Sequence, residues 1–160
     1  MRNLPLLGPV FLTLLLAGCS SQPAQQPAPA AAVKAEAPKP LDETRRFPKT
    51  DMVDSKVIDK ELMGKTFMPG GTLAHYKKGK TEYDMFVCQF ATPTAAAVVL
   101  PDWRNALTDA KFEASFGGYF GQDAGKPVFV FTKGTWLAGV SGLPEKEADL
   151  EARTLATRLN

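Results

Sequence analysis

From Lys80 to Phe90 the apolar side chains fall into two period-two sets. Phe86, Cys88 and Phe90 share one side, and Met85 and Val87 take the other, so the segment reads as a strand covered on both faces. Thr72–Lys77 reads as its hairpin neighbour across "KKGK", where Gly79 supplies the positive φ of a tight turn. The same signature recurs at Val128–Thr132 and Thr135–Val140, joined at Lys133-Gly134. Between these hairpins the period changes to that of a helix. Thr92-Pro93 offers a hydroxyl cap followed by proline in the first turn, and Ala96, Val99, Leu100, Trp103 and Leu107 form one stripe. Pro101 lies inside the stripe and predicts a kink or a split, because its ring collides with the carbonyl of Ala97. A second helix opens at Leu143-Pro144-Glu145, with the stripe Ala148, Ala152, Leu155, Ala156 and Leu159. Glu145 and Glu147 near its start and Arg153 and Arg158 near its end suit the helix dipole.

Two stretches are less regular. "FEASFGGYFGQDAG" reads as one strand followed by a loop, and "MVDSKVIDKELMGKTFM" fits either a short helix over Ser55–Met63 or an added edge strand. The fold class predicted is α+β: an antiparallel sheet of about four to six strands built from hairpins, with two main helices on one face. It spans residues 45–160, and no internal repeat is visible.

The N-terminus is patterned differently. After Arg2, an apolar run from Leu4 to Leu16 is interrupted by Pro5, Gly8 and Pro9. It falls short of the roughly 20 apolar residues that span a bilayer as a helix, and reads as a secretory signal. It ends in Leu16-Ala17-Gly18-Cys19, after which the chain turns polar at once. These four residues resemble the lipobox of bacterial lipoproteins. The resemblance implies removal of residues 1–18, with Leu16, Ala17 and Gly18 read by the signal peptidase. It also implies diacylglycerol, with further acylation such as palmitate, on Cys19. Several acyl chains on one cysteine make a stable membrane anchor where one would not. Ser20, rather than aspartate, follows the cysteine; by the same resemblance this favours the outer membrane, facing the periplasm, if the organism has two membranes.

Residues 19–44 are rich in Ala, Pro and Gln, with prolines at 23, 27, 29, 38 and 40 and no apolar periodicity. Such a segment cannot bury enough surface to offset its ordering entropy and reads as a disordered tether. Extended, it would reach on the order of 75 Å, and as a coil about 25–30 Å.

Over residues 45–160 there are 16 Lys and Arg against 14 Asp and Glu. The balance and the scatter of charge argue against a nucleic-acid partner, which would need a concentrated basic face. Tyr83–Leu159, carried by "YFGQDAGKPVFVFTKGTWLAGVSGL" and "ADLEARTLATRL", resembles a functionally uncharacterised bacterial family of secreted and lipid-anchored domains. That resemblance implies a fold and no activity.

Candidate chemistry is sparse. With Cys19 lipidated, Cys88 has no disulfide partner in the chain, and its place between Phe86 and Phe90 marks it as a core residue. His75 reads as a surface or sheet-edge residue on the face of Leu73 and Lys77. One histidine without paired cysteines does not make a zinc site. A Cys88–His75 pair is the one nucleophile–base constellation that neighbouring strands could allow. "GGYFGQDAGKP" departs from a phosphate loop: three residues separate Gly121 from Gly125, Pro127 follows Lys126, and a strand comes next. It reads instead as a turn-rich connection and the best candidate for a binding loop; Asp123 alone is a poor calcium ligand. Tyr76, Tyr83, Phe116, Tyr119, Phe120 and Trp136 suit either the core or an aromatic groove.

No cofactor or metal is expected. The function expected is that of a non-catalytic, lipid-anchored envelope protein that binds an envelope protein partner and contacts the membrane through Cys19. A carrier of a small apolar ligand is the alternative, and a small envelope enzyme using Cys88 or carboxylates ranks third.

Overall fold

The computed structural model describes residues 39–160; the signal, the lipobox residues Leu16–Cys19 and most of the tether lie outside the described residues. The sheet is antiparallel throughout: β1 (Met52–Lys60), β2 (Pro69–Lys78), β3 (Thr81–Gln89), β4 (Thr108–Glu113), β5 (Gly118–Asp123), β6 (Lys126–Lys133) and β7 (Trp136–Ser141). Their spatial order is β1-β2-β3-β7-β6-β5-β4. Two meanders therefore meet where β3 pairs with β7, both strands being covered on each face.

Seven strands exceed the expected four to six, and both additions have local causes. "MVDSKVIDK" is the edge strand β1, not a helix. "TDAKFE" and "GYFGQD" are two strands where one strand and a loop were expected. The predicted hairpins form as read, with Gly79 at φ 63° and Gly134 at φ 58° in their turns.

The first helix is split, as Pro101 requires. α1 (Pro93–Ala97) starts on a Thr92 side chain that accepts from the Ala95 N–H at 3.1 Å, and α2 (Leu100–Ala106) carries Pro101 in its first turn. α3 (Glu145–Ala156) buries Ala148, Ala152 and Leu155, and Leu159 beyond it is buried too.

The helices do not share a face. Trp103, Leu100, Val99 and Leu107 pack with Phe86, Cys88, Val130 and Leu137. The α3 stripe packs on the opposite side with Tyr83, Val87, Phe129, Phe131 and Ala138. The expectation of one helical face fails because both stripes are apolar enough for either side; the loops after β3 and β7 turn to opposite faces and decide it. Each face thereby receives its own cover, as a sheet apolar on both sides demands.

Packing also begins earlier than composition indicates. The Glu43 N–H donates to Thr72 Oγ1 at 3.0 Å, and that hydroxyl donates to the Leu41 carbonyl at 3.2 Å. The Glu43 carboxylate is buried against Arg46 at 3.0 Å. Arg46 in turn lies 4.4 Å over the Trp136 ring and donates to the Arg158 carbonyl. Residues 41–44, assigned by composition to the tether, are thus docked on the α3 face.

Candidate functional site

α1 and α2 cover the β5–β7 part of their face, and the turn around Leu62 covers the start of β2. Near the β2–β3 hairpin the same face lies open. There the register places Asp54, His75, Asp84 and Ser141 in one row across β1, β2, β3 and β7. Asp54, Lys56, Leu73, His75 and Asp84 line a hollow of about 180 Å³.

Asp84 organises this patch. Its Oδ1 is 2.8 Å from His75 Nδ1, and its Oδ2 accepts from Lys126 Nζ at 2.7 Å. Burial pushes the carboxyl up, but hydrogen bonds from Lys126 and His75, reinforced by their charge, outweigh it and hold Asp84 below the usual carboxylate range. An ionised Asp84 can only accept, so Nδ1 is the donor. His75 Nε2 then faces solvent and Glu82, whose Oε2 is 3.9 Å away. Lys77 closes the chain of charges on Glu82 at 2.7 Å. The stem of Lys126 passes close to Gly142, and Ser141, next in the row, is buried.

His75 is therefore a surface residue, as expected, but it lies off the sheet edge and is no partner of Cys88. It sits on the second strand, oriented by a carboxylate in the manner of an acid–base dyad. The two candidates occupy the same face, but Asp84 is the cross-strand neighbour of His75, and Cys88 is opposite Leu137. Four residues along a strand separate them, about 13 Å. Cys88 is 2 % exposed, and burial pushes its thiol up to about 12, which leaves it protonated and inert at neutral pH. Among the described residues no group of three or more His, Cys, Asp or Glu side chains is placed to hold a metal ion.

The glycine-rich stretch is no loop: Gly118–Asp123 is β5, and a tight turn at Ala124-Gly125 leads into β6. Asp123 is held by Lys65 at 2.6 Å. The aromatics are largely consumed in packing. Tyr76 and Tyr83 stack at 4.9 Å, with the Tyr76 hydroxyl donating to the Pro48 carbonyl, and Trp136 lies beneath Arg46. Tyr83 and Phe116 each show an edge in hollows of about 280 and 360 Å³, the latter beside Arg153. A cleft of about 460 Å³ where the chain enters the domain is lined by Leu41, Gly70, Gln89 and Thr135 among others, and by none of the six aromatics singled out above.

Sequence reasoning left one feature undecided between a short helix and an added edge strand, and the structure makes it the edge. β1 ends the sheet and carries Val53 and Val57, which are 60 % and 39 % exposed. Its outer side bonds to no strand among the described residues. The signal was present in "MVDSKVIDK", where charged and apolar residues alternate without a clean period of either kind, as on an edge strand wetted on three sides. The opposite edge, β4, is short and broken by a register shift, with Asp109 at φ 53°.

Compared with known proteins, the chain matches no family model. No curated protein sequence matches it either.

Proposed function

We propose that this protein is a non-catalytic interaction module of the bacterial cell envelope, anchored by lipid on Cys19 and presented on a tether, that binds a protein partner along β1. The observation that carries the binding reading is the nine-residue open edge with two exposed valines, bordered by a charged hollow. Extended partners add to such edges through main-chain hydrogen bonds, and side chains on alternate faces set the register. The anchor reading is carried by Leu16-Ala17-Gly18-Cys19 and the polar tether behind it.

Two measurements test the proposal. Denatured mass spectrometry of protein extracted from its own envelope is expected to show loss of residues 1–18 and a gain of acyl chains; an unmodified Cys19 refutes the anchor. A photo-crosslinking residue at Val57 in the intact cell is expected to give a discrete protein adduct. The same residue at Val98, 62 % exposed in the turn between α1 and α2, is expected to give none; equal yields refute the edge as the site. Native spectra of the same extract address the carrier alternative, which predicts a reproducible small-molecule excess mass. The enzyme alternative is favoured by the His75–Asp84 dyad alone, and predicts that His75→Gln abolishes the cellular role while the domain stays folded.

A further inference from the structure

We infer that the partner along β1 is a second copy of this chain, its β1 added antiparallel about a two-fold axis through Val57. The inference deepens the interaction-module reading and rests on it.

The hydrogen-bonding groups of β1 come first. The Lys77 N–H donates to the Asp51 carbonyl at 2.9 Å, so Lys77 faces β1. By strand alternation His75, Leu73 and Gly71 face β1 as well, and their register partners Asp54, Lys56 and Ile58 face β2. The main-chain groups of Ser55 and Val57 therefore point away from the sheet, while the Asp59 carbonyl is turned towards Gly70 of β2.

Register is decided by charge and by the bulge. The ladder with β2 is irregular between Met52 and Asp54, so the regular run is Asp54–Lys60, seven residues whose middle is Val57. A two-fold there places Val57 against its own copy, Ser55 against Asp59, Lys56 against Ile58, and Asp54 against Lys60. The arrangement makes two opposite-charge pairs, sets Ser55, whose hydroxyl is hydrogen-bonded to Thr44 Oγ1 at 2.8 Å, opposite Asp59, and covers the one exposed valine of the regular run. Shifting the axis by one residue is unfavourable in either direction. An axis at Lys56 sets Lys56 against itself, and an axis at Ile58 sets Lys56 against Lys60. Like charges directly opposite destabilise a strand pair. An axis at Ser55 brings the bulged Val53 into the ladder. The charges that would repel an arbitrary strand thus select this one.

An edge pair of seven residues buries less than the roughly 1,600 Å² of a standard stable interface. The dimer is weak in dilute solution and is populated where lipid anchors hold copies in one plane, which raises their effective concentration.

The test is cysteine cross-linking of the full chain in its own envelope. Cys88 is buried and unreactive, and it remains blocked to thiol reagents if a variant has folded. Directly opposed residues of such a pair lie roughly 5.5 Å apart between Cα atoms, within disulfide reach. Val57→Cys is expected to give a disulfide-linked homodimer on mild oxidation. Ser55→Cys lies opposite Asp59 and about 13 Å from its own copy along the strand, so it is expected to stay monomeric. The Val57→Cys yield is expected to fall several-fold when Asp54→Lys is added and to recover when Lys60→Asp is added to that. Dimer from Ser55→Cys at equal yield, or no recovery in the double exchange, overturns the register. Absence of any homodimer, with the Val57 adduct formed to a different protein, overturns self-pairing and leaves the interaction module standing. Absence of every adduct removes both.

Discussion

Asp84→Asn is the substitution that most directly tests the reading of the open patch. It keeps the shape of the side chain and removes the charge that joins His75 and Lys126. Each charge-assisted hydrogen bond to a buried partner contributes about 1.5–3 kcal/mol. Here the partners are half exposed, with side-chain exposures of 36 % for His75 and 48 % for Lys126, so solvent screening reduces that figure. A net loss of about 1–2 kcal/mol at neutral pH follows. Because the folded Asp84 carboxyl is held below its usual range, its contribution is fully present above the unfolded value near 3.9. It disappears as pH falls through the lower folded value. Urea unfolding of the wild type and the variant reads this directly. Trp103 and Trp136 are both buried, and their emission shifts as they reach water. The expected result is a clear gap in midpoint at pH 7 that narrows towards nothing in strong acid. It should also shrink in about 1 M salt, where the Debye length is near 3 Å. A gap that persists unchanged in strong acid would refute the argument, since two neutral side chains would then differ as much as a charged and a neutral one.

Other consequences are equally concrete. Gly139→Ala is expected to cost about 3 kcal/mol or to prevent folding, measured by thermal denaturation, because the new methyl would sit 2.3 Å from Phe86 Cζ and 2.5 Å from the Phe129 carbonyl, which is backbone and cannot yield. Thr92→Ala removes the cap on the Ala95 N–H and should cost about 1 kcal/mol in urea titrations, with α1 fraying first in hydrogen exchange. In the folded protein Cys88 should resist a maleimide at neutral and mildly alkaline pH and react at once in denaturant; rapid labelling of the native protein would show that its burial is wrong.

The elements whose side chains obey a clean period were legible from residues alone. Phe86, Cys88 and Phe90 against Met85 and Val87 announced a central strand, and Thr92, Pro93 and Pro101 announced a capped and then divided helix, because these are local constraints of backbone geometry. The burial of Cys88 followed from the same alternation. β1, β4 and β5 were obscured. Edge strands are half solvated and lose their period, and glycines in "GGYFGQ" look like loop although Gly118 and Gly121 serve the close approach of neighbouring strands.

The chain alone thus determined the hairpins, the helices and their caps, the core role of Cys88, and the expectation of a lipid anchor at Cys19, all written in short windows. Tertiary structure alone decided the rest. It put the helices on opposite faces, docked residues 41–44 against Thr72 and Arg46 over Trp136, set His75 beside Asp84 rather than Cys88, and left β1 open at the end of the sheet. Each of these depends on strand order and register between residues far apart in sequence. A one-residue slip in register would exchange the faces and dissolve the patch, and no local pattern records which slip was avoided.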